Sequence, residues 1–479
     1  MRFFSPRSTQ DDIVLGVPLT PSRGRVLRLN TEDQAFHATI WGQTGSGKSR
    51  FLQSMFLQHL TKGHGVCLID PHHDLSFDTL SYLVEQGYFK NDDAFERLVY
   101  LDWGNASYVP FNVLAAPGSP QTVALNALEA MLRVWPELRR APTFQTLVLG
   151  SMIVLIKNQL SLTSLHEFLS DTDFRERCLA RVDDPLILQT FARFGKISGQ
   201  AQEAGSALRR AFLMSFHDIS RLSLGQPDCI LNFRELMDEG RSLIINLGNI
   251  GDAETRRLIG ALLLVQIEQA ALSRTDIPTD LRRPWTVLLD EWPSFAATDK
   301  AIATILEQTR KFGLRLYLAA QSTSQVSSDS LEGALENCRL NVAFGLGRNS
   351  AVDQSRQLAG GEAQKETNLV GRLLAPAPEP EVPYREQVDT LMQHLQVLPP
   401  QEAYVKLHTS PPVRIKALEV HNPRPSATEL ASVLATYRTR YQRSRTEAEA
   451  RMTLPMRARA TAELPSLPFE LFSRTQGRG

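Results

Sequence analysis

The segment from residue 42 to residue 49 restricts the possible folds of this chain more than any other feature. It reads Gly-Gln-Thr-Gly-Ser-Gly-Lys-Ser and fits the pattern G-x-x-x-x-G-K-S/T. Residues 37–41 before it are largely β-branched or aromatic, and residues 49–62 after it carry the apolar periodicity of a helix that a glycine ends. A strand, a glycine-rich turn and a helix in this order predict a loop that binds phosphate groups.

The residues of this loop suit the binding of a nucleoside triphosphate with Mg²⁺. Glycines let the backbone curl so that its N–H groups converge on phosphate oxygens, and the helix N-terminus adds partial positive charge. Lys48 is expected to neutralise the β- and γ-phosphates, and the Ser49 hydroxyl to ligate Mg²⁺. The predicted nucleotide-binding residues are Gly42, Gln43, Thr44, Gly45, Ser46, Gly47, Lys48 and Ser49, and the predicted cofactors are ATP and Mg²⁺.

Two acidic residues, Asp290 and Glu291, directly follow an apolar run that begins at Trp285. The run is typical of a buried strand, and ligands of open α/β sheets lie beyond the carboxyl ends of the strands. Asp290 is therefore predicted to hold Mg²⁺ through water, and Glu291 to polarise the attacking water. An ordinary acidic turn after a buried strand is the alternative, and the phosphate-binding loop upstream argues against it.

The acidic pair does not follow the strand that comes next in sequence after the phosphate-binding loop. Two other strand-like segments, at 65–70 and 98–102, lie between them. This order favours the RecA-like division of P-loop proteins over kinases and simple GTPases, and the Glu beside the metal-binding Asp agrees with it.

Strand and helix patterns alternate on both sides of a long helical stretch. The alternation predicts an α/β fold: a RecA-like core with a mainly parallel sheet flanked by helices, plus an inserted all-helical subdomain. We divide the chain into a strand-rich segment at 1–36, core parts at 37–119 and 236–374, a helical insertion at 120–235 and a C-terminal region at 375–479. In that last region we expect a Pro-rich linker or surface crossing at 375–400, a hairpin at 403–420, a helix at about 427–451 and an Arg-rich tail.

The overall charge gives no argument for nucleic-acid binding, because Lys plus Arg and Asp plus Glu both number 52. A DNA-binding surface would have to be a local basic patch. The candidate bases are Arg139, Arg140, Arg209, Arg210, Arg221, Arg424, Arg438, Arg440, Arg443, Arg445, Arg451, Arg457 and Arg459. The alternative for these residues is a solvated helix face or a tail that clasps a neighbouring subunit.

Cysteine usage and hydropathy place the chain in the cytoplasm. The four cysteines lie far apart in sequence, so no zinc-binding pair is visible and reduced core thiols are expected. The longest apolar runs, at 147–156 and 258–267, contain glycine and fall short of the about 18–20 residues that span a bilayer. The first residues contain no apolar signal region. We therefore expect a soluble, cytoplasmic protein.

Four stretches of the sequence recur together in one group of proteins. They are HATIWGQTGSGKS at 37–49, LIDPHHDL at 68–75, LLDEWPSF at 288–295 and RKFGLRLYLAAQSTSQ at 310–325. Together they resemble the HerA/FtsK superfamily of hexameric translocases, and within it the coupling proteins of type IV secretion and conjugation. His73 stands where that family usually has a small Gly. Asp70 and Asp74 lie near the nucleotide edge, where a turn-forming role is at least an equal alternative.

The resemblance also implies roles for residues of the fourth stretch. In coupling proteins the strand after the acidic motif ends in Gln-Ser-Thr-Ser-Gln, and the first Gln is similar in role to a γ-phosphate sensor. That role falls to Gln321 here, and the role of an arginine finger acting across a subunit interface falls to Arg310. The predicted catalytic residues are thus Glu291, Arg310 and Gln321. Arg348 is a second candidate for the finger, and a solvated helix end is the alternative for Arg310.

The resemblance implies a homohexameric ATPase that translocates single- or double-stranded DNA to a transfer or secretion channel. The membrane-bound coupling proteins carry N-terminal transmembrane helices and this sequence shows none, so any contact with the inner membrane is expected to be peripheral, through partners. A HerA-type motor that works with a nuclease in DNA processing or defence is a second hypothesis. A protein-export or assembly ATPase without a DNA substrate is a third. The expected partners are accordingly a secretion channel, a relaxase or a nuclease.

Overall fold

The computed structural model describes residues 11–19, 26–104, 107–192, 201–294, 299–326, 329–359 and 383–452. Its strands are β1 Ile13–Pro18, β2 Leu27–Leu29, β3 Ala38–Trp41, β4 Gly65–Asp70, β5 Leu98–Asp102, β6 Ser107–Tyr108, β7 Ser242–Asn246, β8 Trp285–Leu289, β9 Leu314–Ala320, β10 Leu340–Ala343, β11 Glu402–Leu407, β12 Val413–Ala417 and β13 Arg443–Ser444.

Helices separate most of these strands. They are α1 Lys48–Thr61, α2 Asp74–Glu85, α3 Asp93–Arg97, α4 Pro120–Val134, α5 Pro142–Lys157, α6 Leu165–Ser170, α7 Thr172–Leu179, α8 Pro185–Ala192, α9 Ala201–Phe216, α10 Asp218–Leu224, α11 Phe233–Glu239, α12 Ala253–Leu272, α13 Asp299–Gln308, α14 Asp329–Leu335, α15 Arg348–Leu358, α16 Tyr384–Val397, α17 Ala427–Tyr441 and α18 Arg445–Met452.

One large sheet organises the fold, with the strand order β2-β1-β12-β11-β10-β3-β9-β8-β4-β7-β5. The part from β10 to β5 is parallel throughout, whereas β11, β12, β1 and β2 join it as antiparallel strands. Strands β4, β5, β7, β8 and β9 are buried along their whole length, as expected when helices cover both faces of a parallel sheet. The predicted α/β fold with a mainly parallel sheet is confirmed.

The helices α4 to α10 lie between β6 and β7 in sequence and build a helical layer. Ser119 caps α4 by accepting a hydrogen bond from the Thr122 N–H, and Pro120 occupies the first turn, where no N–H partner is needed. Helix α5 buries Phe144, Val148 and Met152 completely against its neighbours. The apolar run at 147–156 therefore lies in the hydrophobic core. No helix among the described residues is long and apolar enough to cross a membrane.

The segment at 375–400, predicted as a Pro-rich linker or surface crossing, contains a surface helix over its described part. Residues 375–382 lie outside the described residues, but α16 occupies most of the segment from 383 to 400 and packs along α15. Pro383 precedes the first helical residue, a position where proline costs the helix nothing. Leu391 and Leu395 are buried, so the spacing of apolar residues decided the structure and the proline content did not.

The predicted hairpin near 403–420 forms from β11 and β12, which pair antiparallel. The hairpin does not stand alone. Strand β11 pairs with β10 and β12 pairs with β1, so the hairpin joins the parallel core to the N-terminal strands. The C-terminal region thereby extends the main sheet rather than forming a separate unit.

The segment from α17 to α18 crosses from the β5 edge of the sheet to the helical layer. The Tyr437 hydroxyl donates to the Leu98 carbonyl at 2.6 Å, and the Gln442 amide donates to the Asp102 carbonyl at 3.0 Å. Arg443, whose side chain is 4% exposed, forms a bidentate pair with Asp228 at 2.7 and 2.6 Å. This part of the Arg-rich region therefore holds two layers of the chain together.

Several other arginines that were candidates for DNA binding also form ion pairs with carboxylates of the chain. These are Arg139 with Glu129, Arg210 with Glu137, Arg221 and Arg445 with Asp218, and Arg451 with Glu447. Arg457 and Arg459 lie outside the described residues. The pairs favour a structural role for these arginines within the chain, which differs from the solvated helix face and the subunit-clasping tail that the sequence left open.

Arg443→Ala is expected to lower the free energy of unfolding by about 3–5 kcal/mol, because Asp228 would remain largely buried without its cation. Arg445→Ala is the matched control. Its side chain is 52% exposed and its ion pairs are screened by solvent, so its loss should change the stability far less. Urea unfolding followed by circular dichroism measures both values. Equal small losses would show that the buried pair does not hold the segment.

Candidate functional site

The loop between β3 and α1 has the shape that its glycines predict. Gly45 has a φ of 79° and Gly47 a φ of 107°, a region that other residues rarely adopt. A Cβ added at Gly47 would also lie 3.0 Å from the Cα of Gln401. The hydroxyl oxygen of Ser46 is buried in this loop and has no hydrogen-bond partner within the described residues. The loop therefore offers a curled backbone and an unpaired polar group.

Neighbouring segments fix the loop through backbone hydrogen bonds. The Gly42 N–H donates to the Ala320 carbonyl at 3.1 Å, and the Gln43 N–H donates to the Gly345 carbonyl at 3.0 Å. The Gln401 N–H donates to the Ser46 carbonyl at 2.8 Å. The ends of β9 and β10 and the turn before β11 thus support the loop, which makes its shape a property of the whole sheet.

Lys48 meets the acidic pair across the edge of the sheet. Its side chain is nearly buried, and its ammonium group forms an ion pair with the Glu291 carboxylate and lies 3.5 Å from Asp290 Oδ1. The Ser49 hydroxyl lies 3.4 Å from Asp290 Oδ2. The fold thus brings together four of the predicted site residues from positions more than 240 apart in the chain.

The acidic side of this site carries more negative charge than its one buried lysine balances. Burial raises the pKa of Asp290, Lys48 opposes that shift, and the charges of Asp70 and Glu291 add to it. A divalent cation would stabilise the charged carboxylate. Oxygen ligands such as the Ser49 hydroxyl and the Asp290 carboxylate are the type that Mg²⁺ prefers.

Asp70 shapes the turn that follows β4. Its carboxylate accepts hydrogen bonds from the N–H groups of His72 and Ser76, both at 2.8 Å. These contacts support the turn-forming role that the sequence left open for Asp70. Asp74 lies in the first turn of α2 and is exposed.

His73 has an unusual backbone angle for a residue with a side chain. Its φ is 79°, in the region that favours glycine. The side chain is held by Asn246, whose amide nitrogen lies 2.7 Å from His73 Nδ1, and by stacking on Phe77 at a centroid distance of 5.0 Å. These two contacts offset the unfavourable backbone angle.

Gln321 follows β9, which lies between the strand before the loop and the strand before the acidic pair. The residue is exposed at the carboxyl edge of the sheet. The turn after it is fixed by Ser350, whose hydroxyl accepts from the Thr323 N–H at 3.1 Å. This position lies between the strand that leads to the phosphate-binding loop and the strand that leads to the acidic pair.

Arg310 lies at the opposite edge of the sheet, in the short turn Arg310–Phe312 before β9. The seven residues of β9 at about 3.3 Å each separate it from the carboxyl edge by roughly 23 Å. Arg310 cannot reach the phosphate-binding loop of its own chain. Arg348, in contrast, begins α15 on the same edge as that loop, where Gln43 lies close to Gly347.

Sequence reasoning did not find the turn that contains Gln401. Its backbone packs on the phosphate-binding loop and has a φ of 67°. The adjacent prolines indicated only a linker or surface crossing, and nothing local indicated that residue 401 would pack near residue 47. The contact depends on the pairing of β11 with β10.

This strand order and loop define the fold of a RecA-like P-loop protein. No family model matches the chain, and no curated protein matches it either. Among solved structures, it is similar to the unbound bacterial conjugative coupling protein TrwBdeltaN70, with a TM-score of 0.59 and 18% identity over 88% of this chain and 92% of that one. The plasmid coupling protein TrwB with the ATP analogue ADPNP gives a TM-score of 0.57, 19% identity and coverage of 88% and 92%.

VirB4 of Thermoanaerobacter pseudethanolicus is a further structural neighbour, with a TM-score of 0.52, 13% identity and coverage of 86% of this chain and 98% of that chain. TrwB has also been solved with ADP and Mg²⁺ and with a GTP analogue. At these identities the likeness shows the fold. The resemblance to coupling proteins that the four motifs indicated is thus confirmed at the level of the fold.

Proposed function

We propose that this chain is an ATPase that couples hydrolysis to the movement of DNA, as a motor for transfer through a type IV secretion or conjugation system. The observation that carries the proposal is the meeting of Lys48 with Asp290 and Glu291 beside the phosphate-binding loop. The similarity of the fold to conjugative coupling protein TrwB, which has been solved with nucleotides, supports it.

The residues around the loop fit a triphosphate with Mg²⁺. An added Cβ at Gly45 would meet nothing within 4 Å, so the loop is open where phosphate oxygens would lie. The unpaired Ser46 hydroxyl is an additional donor. Ser49 and Asp290 would hold the metal, which neutralises charge on the phosphates.

The ion pair between Lys48 and Glu291 suggests how binding and hydrolysis are linked. A bound triphosphate offers Lys48 an alternative anion, and its arrival would release the Glu291 carboxylate. The free carboxylate can accept a proton from the attacking water. Gln321, between the two halves of the site, would then contact the γ-phosphate and report its loss.

The position of Arg310 supports an oligomer. It faces away from its own nucleotide site, so it can serve hydrolysis only at the site of a second copy. A closed ring would satisfy every site in the same way. We propose a homohexamer in the cytoplasm that reaches the inner membrane through partner proteins.

DNA should stimulate ATP turnover if the motor acts on DNA. Steady-state turnover is measured with and without single-stranded and double-stranded DNA of random sequence. Because backbone contacts release counterions, the apparent DNA affinity should fall about 10³-fold or more between 50 and 200 mM salt if six or more phosphates are contacted. Robust turnover that no DNA changes would contradict the proposal and favour a protein-export or assembly ATPase.

A further inference from the structure

A tight turn at residues 399–402 lies beside the phosphate-binding loop. The Glu402 N–H donates to the Pro399 carbonyl at 3.1 Å, and Pro400 and Gln401 form the centre of the turn. Gln401 has a φ of 67°. Proline at the first central position and a positive φ at the second are the pattern of a type II turn, in which the second position usually belongs to glycine. The turn therefore carries a long polar side chain at a position where a glycine would cost less.

Two backbone hydrogen bonds hold Gln401 between the phosphate-binding loop and the hairpin of β11 and β12. Its N–H donates to the Ser46 carbonyl, and its carbonyl accepts from the Ala417 N–H, both at 2.8 Å. A Cβ added at Gly47 would lie 3.0 Å from the Gln401 Cα. Strained backbone angles persist only where surrounding contacts impose them, and they cluster at sites that bind ligands. The backbone of Gln401 is thus fixed against the loop.

The side-chain amide of Gln401 is available to a ligand. The side chain is half-buried, and its amide makes no hydrogen bond within the part of the chain that the structure describes. A carboxamide offers two N–H donors and one acceptor oxygen. Both kinds of hydrogen-bonding group therefore lie beside the loop without a partner from the described residues.

The strand order indicates which end of a bound nucleotide would meet this turn. The acidic pair follows β8, two strands to one side of β3, whereas β10 and β11 lie on the other side of β3. A triphosphate whose γ-phosphate faces Asp290 and Glu291 would therefore direct its sugar and base toward β10 and β11. Gln401 directly precedes β11, which starts at the carboxyl edge of the sheet. Its position matches the base end of the ligand.

The first turn of α1 makes a second contact with the C-terminal region. Backbone N–H groups of the loop and this turn bind the α- and β-phosphates in P-loop proteins. Arg50, which directly follows Ser49, donates to the Asn422 side chain and lies 3.1 Å from the Asp78 carboxylate. The C-terminal region thus contacts the loop at Ser46 and the helix at Arg50. Both contacts lie where the sugar and base of a nucleotide would extend from the phosphates.

We propose that the Gln401 side chain binds the base of the nucleotide and makes the site prefer adenine to guanine. This inference rests on the proposed ATPase function. A carboxamide can donate to N7 of adenine and accept from its N6 amine at the same time. Guanine presents acceptors at both positions, so one of the two hydrogen bonds is lost. Gln401 is therefore a specificity-determining residue of the site.

Gln401→Gly isolates the side chain, because glycine adopts a φ of 67° without strain and keeps both backbone hydrogen bonds. The wild type should bind ATP about 10-fold or more tightly than GTP, and the variant should bring this ratio close to one by losing ATP affinity. Calorimetric titration with non-hydrolysable analogues of both nucleotides and Mg²⁺ measures the ratio. An unchanged ratio, or an equal loss for both nucleotides, would overturn the proposal.

Gln159→Gly is the matched control. Gln159 is an exposed glutamine with a φ of 55° that follows α5 in the helical layer, so the substitution removes the same side chain from a similar backbone angle. Both nucleotide affinities should stay unchanged in this variant. Inorganic tripolyphosphate, which has no base, should bind the wild type and Gln401→Gly equally. Weaker tripolyphosphate binding to Gln401→Gly would show that Gln401 shapes the loop, which would overturn its role in base recognition.

Tripolyphosphate also separates this inference from the function on which it rests. If the wild type binds tripolyphosphate, Lys48→Ala abolishes that binding, and ATP and GTP bind equally well, only the base preference is wrong. If the wild type binds neither tripolyphosphate nor either nucleotide, the proposed ATPase function fails together with the inference.

Discussion

A Glu291→Gln protein is expected to bind Mg²⁺ and ATP and to hydrolyse ATP about 10²–10⁴-fold more slowly than the wild type. The amide keeps the size of the side chain but cannot accept the proton of the attacking water. It also ends the ion pair with Lys48, which leaves the lysine free for the phosphates. ATP affinity should therefore stay the same or rise.

Equilibrium binding and single-turnover hydrolysis of labelled ATP measure the two effects separately. Glu386→Gln, at the exposed start of α16, is the matched control and should leave both values unchanged. Turnover at the wild-type rate in the Glu291→Gln protein would remove Glu291 from its proposed role. Loss of ATP binding would show instead that the carboxylate is needed to shape the site.

Lys48→Ala is expected to abolish measurable turnover and to weaken ATP binding strongly. Its ammonium group is the one side-chain cation that the described residues place between the loop and the acidic pair. Its removal also leaves two buried carboxylates without their cation, so the free energy of unfolding should fall by about 3–5 kcal/mol in the absence of Mg²⁺.

The stability loss offers a check that does not depend on activity. If Ser49 and Asp290 hold Mg²⁺, adding the metal should restore part of the lost stability, because ligand binding to the folded state stabilises it. Thermal unfolding with and without Mg²⁺ measures this. Lys416→Ala, an exposed lysine on β12, is the control. Unchanged stability in the Lys48→Ala protein would show that the ion pair contributes nothing to the fold.

The core of the site could be predicted from sequence because its chemistry demands particular residue types at fixed spacing. A loop that curls around phosphates needs glycine at positive φ, and Gly45 and Gly47 have that angle. The apolar run before Asp290 marked a buried strand, and the alternation of strands and helices marked a parallel sheet. These signals are local, so they can be interpreted without knowledge of the tertiary structure.

The features that sequence missed depend on pairing between distant segments. The extension of the sheet by β11, β12, β1 and β2 joins the two ends of the chain. The contact of Gln401 with the loop and the pair of Arg443 with Asp228 follow from that arrangement. In each case the local sequence indicated only a linker or a charged segment, because the partner lies more than 200 residues away.

The roles of Gln321 and Arg310 were inferred from the resemblance to coupling proteins. The two residues lie at opposite edges of the main sheet. Gln321 lies on the same edge as the loop, so its role as a sensor needs only the chain itself. Arg310 lies on the far edge, so its role needs a second copy. Both assignments stay proposals, and the mixing of Arg310→Ala with Lys48→Ala chains addresses the second.

The most direct test of the account is an experimental structure of the Glu291→Gln protein with ATP and Mg²⁺. We expect the triphosphate in the curl of residues 42–47, with Lys48 on the β- and γ-phosphates, the metal on the Ser49 hydroxyl and Asp290 one water away. ATP bound elsewhere on the chain, or a triphosphate that leaves Lys48 paired with the acidic residues, would contradict it.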